Sequence, residues 1–150
     1  MANTKALKTE VECYVRNELE KDFPGHTFAE KAMQLRKKRD GTFAIHKFDA
    51  VSEDNSIVAN IKSHSWKTSG GKNPAGKIAS IFQAIHFLGL VRAETRLLIL
   101  TDKTTYNAFM VESDGKLPEG IETRLYELPA QLQKLVSEVQ RKASEEMSAR

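Results

Sequence analysis

The chain holds a single cysteine, Cys13, a single tryptophan, and no apolar run long enough to span a bilayer. One thiol cannot form an intramolecular disulfide, and no cysteine-based zinc site is spelled out. A membrane-spanning helix needs roughly 20 apolar residues, and runs such as Leu97-Leu98-Ile99-Leu100 fall far short. The lysine-bearing N-terminus has no apolar signal region behind it. These absences predict a protein of the reducing cytoplasm without a membrane partner. Neither sign of charge dominates: 23 Lys and Arg against 20 Asp and Glu leave a net +3. That balance is compatible with a nucleic-acid partner and does not demand one. No repeat or low-complexity tract interrupts the 150 residues. What is present, 40% apolar and 29% charged residues, is the composition of one globular domain.

Periodicity divides the chain into alternating elements. Leu7, Val11, Val15 and Leu19 recur at i+4 and predict a helix over 4–22, closed by Pro24-Gly25. Residues 27–37 alternate in an extended pattern, and Arg36 to Arg39 with Asp40-Gly41 read as a turn. Two apolar, alternating runs over 42–51 and 56–63 predict a hairpin. Asn73-Pro74 is a helix start signal, and Ile78, Ile81, Phe82, Ile85 and Leu88 carry that helix to Gly89. Leu97 to Leu100 reads as a central strand covered on both faces. A short helix over 104–111, a strand over 121–128 and a helix from Pro129 to about Glu146 complete the order, with fraying expected after Gln140. The last helix carries Leu132, Leu135, Val136 and Val139 on one face, which suits either a cover for the sheet or a partner surface.

The hairpin carries the chemistry. Centred on Asp54-Asn55, it sets Asp49 opposite Asn60, with Lys62 one pair further along. Alternation puts Asn60 and Lys62 on one face, and directly opposed Cβ atoms lie about 5 Å apart. A carboxylate, an amide and an ammonium then converge where a divalent cation and a phosphate could meet.

Phe48-Asp49 followed by Asn60-Ile61-Lys62 resembles the PD-(D/E)xK nuclease superfamily, which includes restriction endonucleases, homing endonucleases and Holliday-junction resolvases. The departure is Asn60, where the family has a carboxylate. The resemblance covers roughly residues 4–140. It implies an α/β fold with a restriction-endonuclease-like core: a mixed sheet of about five strands flanked by helices, in the order α-β-β-β-α-β-α-β-α. It also implies Mg²⁺, with Mn²⁺ as a substitute, held by Asp49, Asn60, the Ile61 carbonyl and an acid of the first helix. Glu12 fits that last place best, having Val11 before it and Val15 and Leu19 after it; Glu10 and Glu18 are the alternatives. Lys62 would orient the attacking water or neutralise the phosphate, and Gln83 would reach the site from the next helix. The implied activity is hydrolysis of phosphodiester bonds in double-stranded or branched DNA.

Other residues are candidates for DNA contact. Lys67, Lys72 and Lys77 surround Trp66 and Gly70-Gly71 just beyond the hairpin, and Arg36 and Lys38 belong to a second basic cluster. Cations of this kind neutralise phosphates, although a charge run is equally a solvated turn. His64 reads either as a surface residue or as a substrate contact; His46 and His86 read as structural. One site per chain and two strands per duplex predict a homodimer or higher homo-oligomer. The competing readings are a binding or structural module that Asn60 has left without catalysis, and an α/β protein in which the hairpin polar residues coincide by chance.

Overall fold

In a computed structural model, which describes residues 4–65 and 75–148, the chain is an α/β protein with four helices and one five-stranded mixed sheet. The elements are α1 (Thr4–Asp22), β1 (Phe28–Lys37), β2 (Phe43–Ser52), β3 (Ile57–Lys62), α2 (Ala75–Leu90), β4 (Thr95–Leu100), α3 (Lys103–Glu112), β5 (Ile121–Leu125) and α4 (Ala130–Ser148). The sheet order is β1-β2-β3-β4-β5. The first three strands pair antiparallel, whereas β4 runs parallel to both β3 and β5. No described helix is long and apolar enough to cross a membrane.

The continuous run on β4 feeds two cores. Leu98 and Leu100 join Ile81, Ile85 and Leu88 of α2 and Phe109 of α3 on one face. Leu97 and Ile99 join Val11, Val15 and Leu19 of α1 and Val136 of α4 on the other. Alternation along a strand covered on both sides requires apolar residues at every position, which is why this run lacks the polar residues of a half-exposed strand.

Several boundaries differ from the sequence reading. α2 continues through Gly89 to Leu90, since the Val91 N–H still reaches the Phe87 carbonyl at 3.2 Å. β5 stops at Leu125 rather than Leu128. α4 stays helical to Ser148 instead of fraying after Gln140, consistent with the strong helix formers Arg, Lys, Ala, Glu and Met there. Its apolar face divides: Val136 is buried in the core on the α1 side and Leu132 packs against that core, while Leu135 is exposed.

The regular alternation of β2 breaks once. Ala29 pairs with Val51 but Lys31 with Phe48, so Glu30 of β1 faces two residues, Asp49 and Ala50. This β-bulge turns Phe48 into the α2 core and Ala50 into the α1 core, two faces that residues two apart would otherwise share. Asp49 sits at the switch.

Candidate active site

The pairing of β2 with β3 runs through Ala50–Ala59 and Val51–Val58, the register expected from a turn at Asp54-Asn55. Asn55 adopts φ 64° in that turn, a conformation that Asn tolerates better than most residues. Beyond Ala50 the Asp49 side chain takes over: its Oδ2 accepts the Ile61 N–H at 2.8 Å. A strand residue presents its N–H and C=O to the same edge, so the Ile61 carbonyl also leaves β3 toward β2.

Between the two strands lies a cleft of about 220 Å³, lined by His46, Lys47, Asp49, Asn60, Lys62, Gln83, Ala84 and Phe87. Asp49, Asn60, Lys62 and Gln83, assigned to one site from the sequence, therefore share one cavity. Asn60 is buried, at 4% exposure, and its amide nitrogen donates to the Ala84 carbonyl of α2 at 3.4 Å. Lys62 Nζ donates to Ser80 Oγ at 3.2 Å. Burial pushes the Lys62 pKa down, and the nearby Asp49 partly restores it. His46 stacks on Phe87, with ring centroids 3.9 Å apart, and meets Phe48 edge-on. Its pKa is also lowered by burial, partly offset by Asp49.

Acidic groups gather around Asp49. Glu12, Glu30 and Asp49 each offer a carboxylate oxygen, and these oxygens lie within 4.8 Å of one another. Glu12 descends from α1 and is only 7% exposed. Burial raises its pKa, as does the Asp49 charge, against the opposing pull of Lys8 and Arg16. Arg16 bridges this corner, donating from Nε to the Asp49 carbonyl at 2.9 Å and from a terminal nitrogen to Glu12 Oε2 at 3.4 Å. Glu30 pairs with Lys47 at 3.1 Å. The other α1 acids lie elsewhere. Glu10 lines a groove between α1 and α4, and Glu18 pairs with Lys21.

Three oxygen donors in one place suit a hard cation such as Mg²⁺, which takes carboxylates and keeps several waters. Burial first, and then the neighbouring Asp49 charge, hold the Glu12 pKa up at the same point. The residues present fit the ion.

The proposed DNA contacts scatter more widely. His64 is mostly enclosed; burial and the charges of Lys62 and Lys77 push its pKa down to about 4. Its Nδ1 is buried and has no hydrogen-bond partner among the described residues, so its ring is poorly placed as an open surface contact. The segment around it is pinned. Gln140 of α4 donates to the Ser63 carbonyl at 2.9 Å and accepts the Ser65 N–H at 3.0 Å, and Thr105 Oγ1 reaches the His64 carbonyl at 2.8 Å. Lys77 Nζ donates to the Ser65 carbonyl at 3.2 Å. Arg36 and Lys38 are exposed at the far end of the β1–β2 hairpin, roughly 20 Å from Asp49 at the rise of a strand. Lys67 and Lys72, with Trp66, Gly70-Gly71 and the Asn73-Pro74 helix start, lie outside the described residues.

Sequence reasoning missed Glu30, His46, Arg16 and Ser80. Glu30 is one of several polar residues alternating along β1, and only the bulge opposite it aims it at Asp49. Ser80 lies three residues before Gln83, one helical turn away on α2. That spacing was the one available signal.

Comparison of the chain with protein-family models, curated proteins and solved structures finds no match in any of the three.

Proposed function

We propose that this chain is a metal-dependent endonuclease of the PD-(D/E)xK type, with a restriction-endonuclease-like core, acting on double-stranded or branched DNA. The observation that carries the reading is the convergence of Asp49, Asn60, Lys62 and Gln83 on one cleft where β2 and β3 part, with Glu12 against Asp49. Glu12, Glu30 and Asp49 would hold Mg²⁺ or Mn²⁺, with the Ile61 carbonyl facing the same gap. Glu30 supplies from β1 the acid that Asn60 does not supply from β3. The ion, when bound, lowers the pKa of water and offsets charge on the phosphate. Lys62, anchored by Ser80, presents an ammonium to the phosphate or to the attacking water. Asn60 and Gln83 offer amides that orient a phosphate oxygen. A symmetric homo-oligomer would bring one such site to each strand of a duplex.

A second reading, a binding module without catalysis, draws on one observation: Asn60 commits its amide nitrogen to the α2 backbone, a structural use. The two readings separate in a nicking assay on supercoiled plasmid and a four-way junction with Mg²⁺, Mn²⁺ or EDTA. Metal-dependent cleavage by the wild type, abolished in Asp49→Ala and Lys62→Ala, supports the nuclease. Hydrolysis that survives both changes removes this site from consideration. Binding without any cleavage favours the module.

A further inference from the structure

The β1–β2 hairpin is far longer than the pairing of β2 with β3 requires. From Asp49 outward, β2 makes no ladder pair with β3, and residues 31–48 form a two-stranded ribbon. One face of it packs on the α2 core through Met33, Leu35 and Ala44. The other face is open, carrying the opposed pair Gln34 and Ile45 and the opposed pair Lys37 and Phe43. Ile45 is 67% exposed and Phe43 40%; Lys37 Nζ lies 5.9 Å from the Phe43 ring centroid. At the tip stand four consecutive cations, Arg36 to Arg39. Among the described residues Arg36, Lys38 and Arg39 form no ion pair with an acid, and the one acid in the turn, Asp40, accepts from Thr42. A groove of about 770 Å³ runs along the outer edge of β1 and adds Lys31 and Arg92 to Arg36 and Lys37.

We infer that this ribbon is the element that grips duplex DNA, lying in the major groove with its cations on the flanking phosphates. The inference rests on the nuclease reading and names the surface by which that site meets its substrate. The major groove of B-DNA, about 12 Å wide, admits a two-stranded β-ribbon. Among the described residues the cations at the tip have no acid partner, and with Lys31 on the edge, held by Asn55 Oδ1 at 2.6 Å, they match the phosphate backbone. The open face offers Gln34, whose amide can bond an adenine edge, and Ile45 and Phe43, which suit a thymine methyl. Glu30, at the base of the same ribbon, belongs to the carboxylate cluster. From Asp49 to the tip the ribbon spans roughly 20–25 Å, so its grip would reach about six base pairs from the cleavage point.

The test is duplex binding without metal, read by fluorescence anisotropy over a salt series. The probe is a labelled duplex of about 30 base pairs, so that cleavage does not enter the readout. For the triple variant Arg36→Ala, Lys38→Ala, Arg39→Ala, the slope of log affinity against log salt should fall by roughly 0.9 for each phosphate no longer neutralised, up to about 2.7. Affinity should fall at least tenfold. Arg36→Lys with Arg39→Lys keeps the charge and should keep the wild-type slope, which separates removal of a phosphate partner from disturbance of the turn. An unchanged slope in the alanine variant overturns the inference, as does an equal weakening in the charge-keeping one. It is overturned too if single-stranded DNA binds as tightly as duplex, if polyglutamate competes equally well, or if Ile45→Ala dissociates an oligomer while duplex affinity holds. Plasmid cleavage by a wild type whose salt slope ignores the ribbon cations sinks the ribbon alone. A wild type that neither binds nor cleaves DNA sinks both.

Discussion

Glu12 is where burial and charge pull against pairing. Its carboxyl is enclosed beside Asp49, and the raised pKa says that Lys8 and Arg16 do not fully compensate. A group whose folded pKa lies above its unfolded value favours folding most below the unfolded pKa, and that contribution is lost as pH rises through the folded pKa. Glu12→Gln, which copies the neutral form, should therefore be more stable than the wild type at neutral pH. Urea unfolding from pH 4 to pH 8 should show that advantage vanish toward the acid end. A variant destabilised equally at every pH contradicts the assignment. His64 runs the other way. Its pKa, pushed down to about 4, lies below the ordinary imidazole value near 6.5. The unfolded chain then binds the extra proton first, and stability drains as pH falls from about 6.5 toward about 4. A ring proton signal of His64 titrating near 6.5 would refute its enclosure. Of the residues that line the cleft, the placing of Asp49, Asn60 and Lys62 together was legible because hairpin register follows from alternation and a turn. Glu30 was not, because a bulge adds one residue without any side chain that announces it.

At the scale of the element, α3 and α4 hold the exit of β3 in place. Asp102 caps α3, accepting the Thr105 N–H at 2.8 Å and lying 2.9 Å from the Thr105 hydroxyl. That hydroxyl also reaches the His64 carbonyl. Asp102→Ala should cost about 1 kcal/mol through removal of the cap. Gln140→Ala removes two bonds to residues 63–65, each worth about 1 kcal/mol net. It should speed amide exchange at Ser65 while leaving β4 amides protected. Protection at Ser65 that survives the change would mean that α4 does not hold this segment. Sequence patterning found each of the nine elements, since apolar spacing, Pro and Gly signal them locally. It could not find Gln140, a polar residue on a helix that touches a segment 77 positions away.

At the scale of the molecule, two cores share one sheet, and β4 belongs to both. The run Leu97 to Leu100 made this arrangement legible, because only a strand buried on both faces needs four apolar residues in succession. Leu98→Ala opens space in the α2 core and should cost about 2–5 kcal/mol in chemical unfolding. Which helix lies over which face could not be read from the pattern; the meeting of Glu12 with Asp49 was expected from the family resemblance alone, and the α1 core brings the two together. The carboxylate cluster is probed at its source by Mn²⁺ binding to the wild-type chain, followed by isothermal calorimetry or spin resonance. One tight ion per chain is expected, weakened at least tenfold by Asp49→Asn and again by Glu30→Gln, and unmoved by Glu18→Gln. Mn²⁺ affinity unchanged in both Asp49→Asn and Glu30→Gln would mean that these acids do not form a metal site.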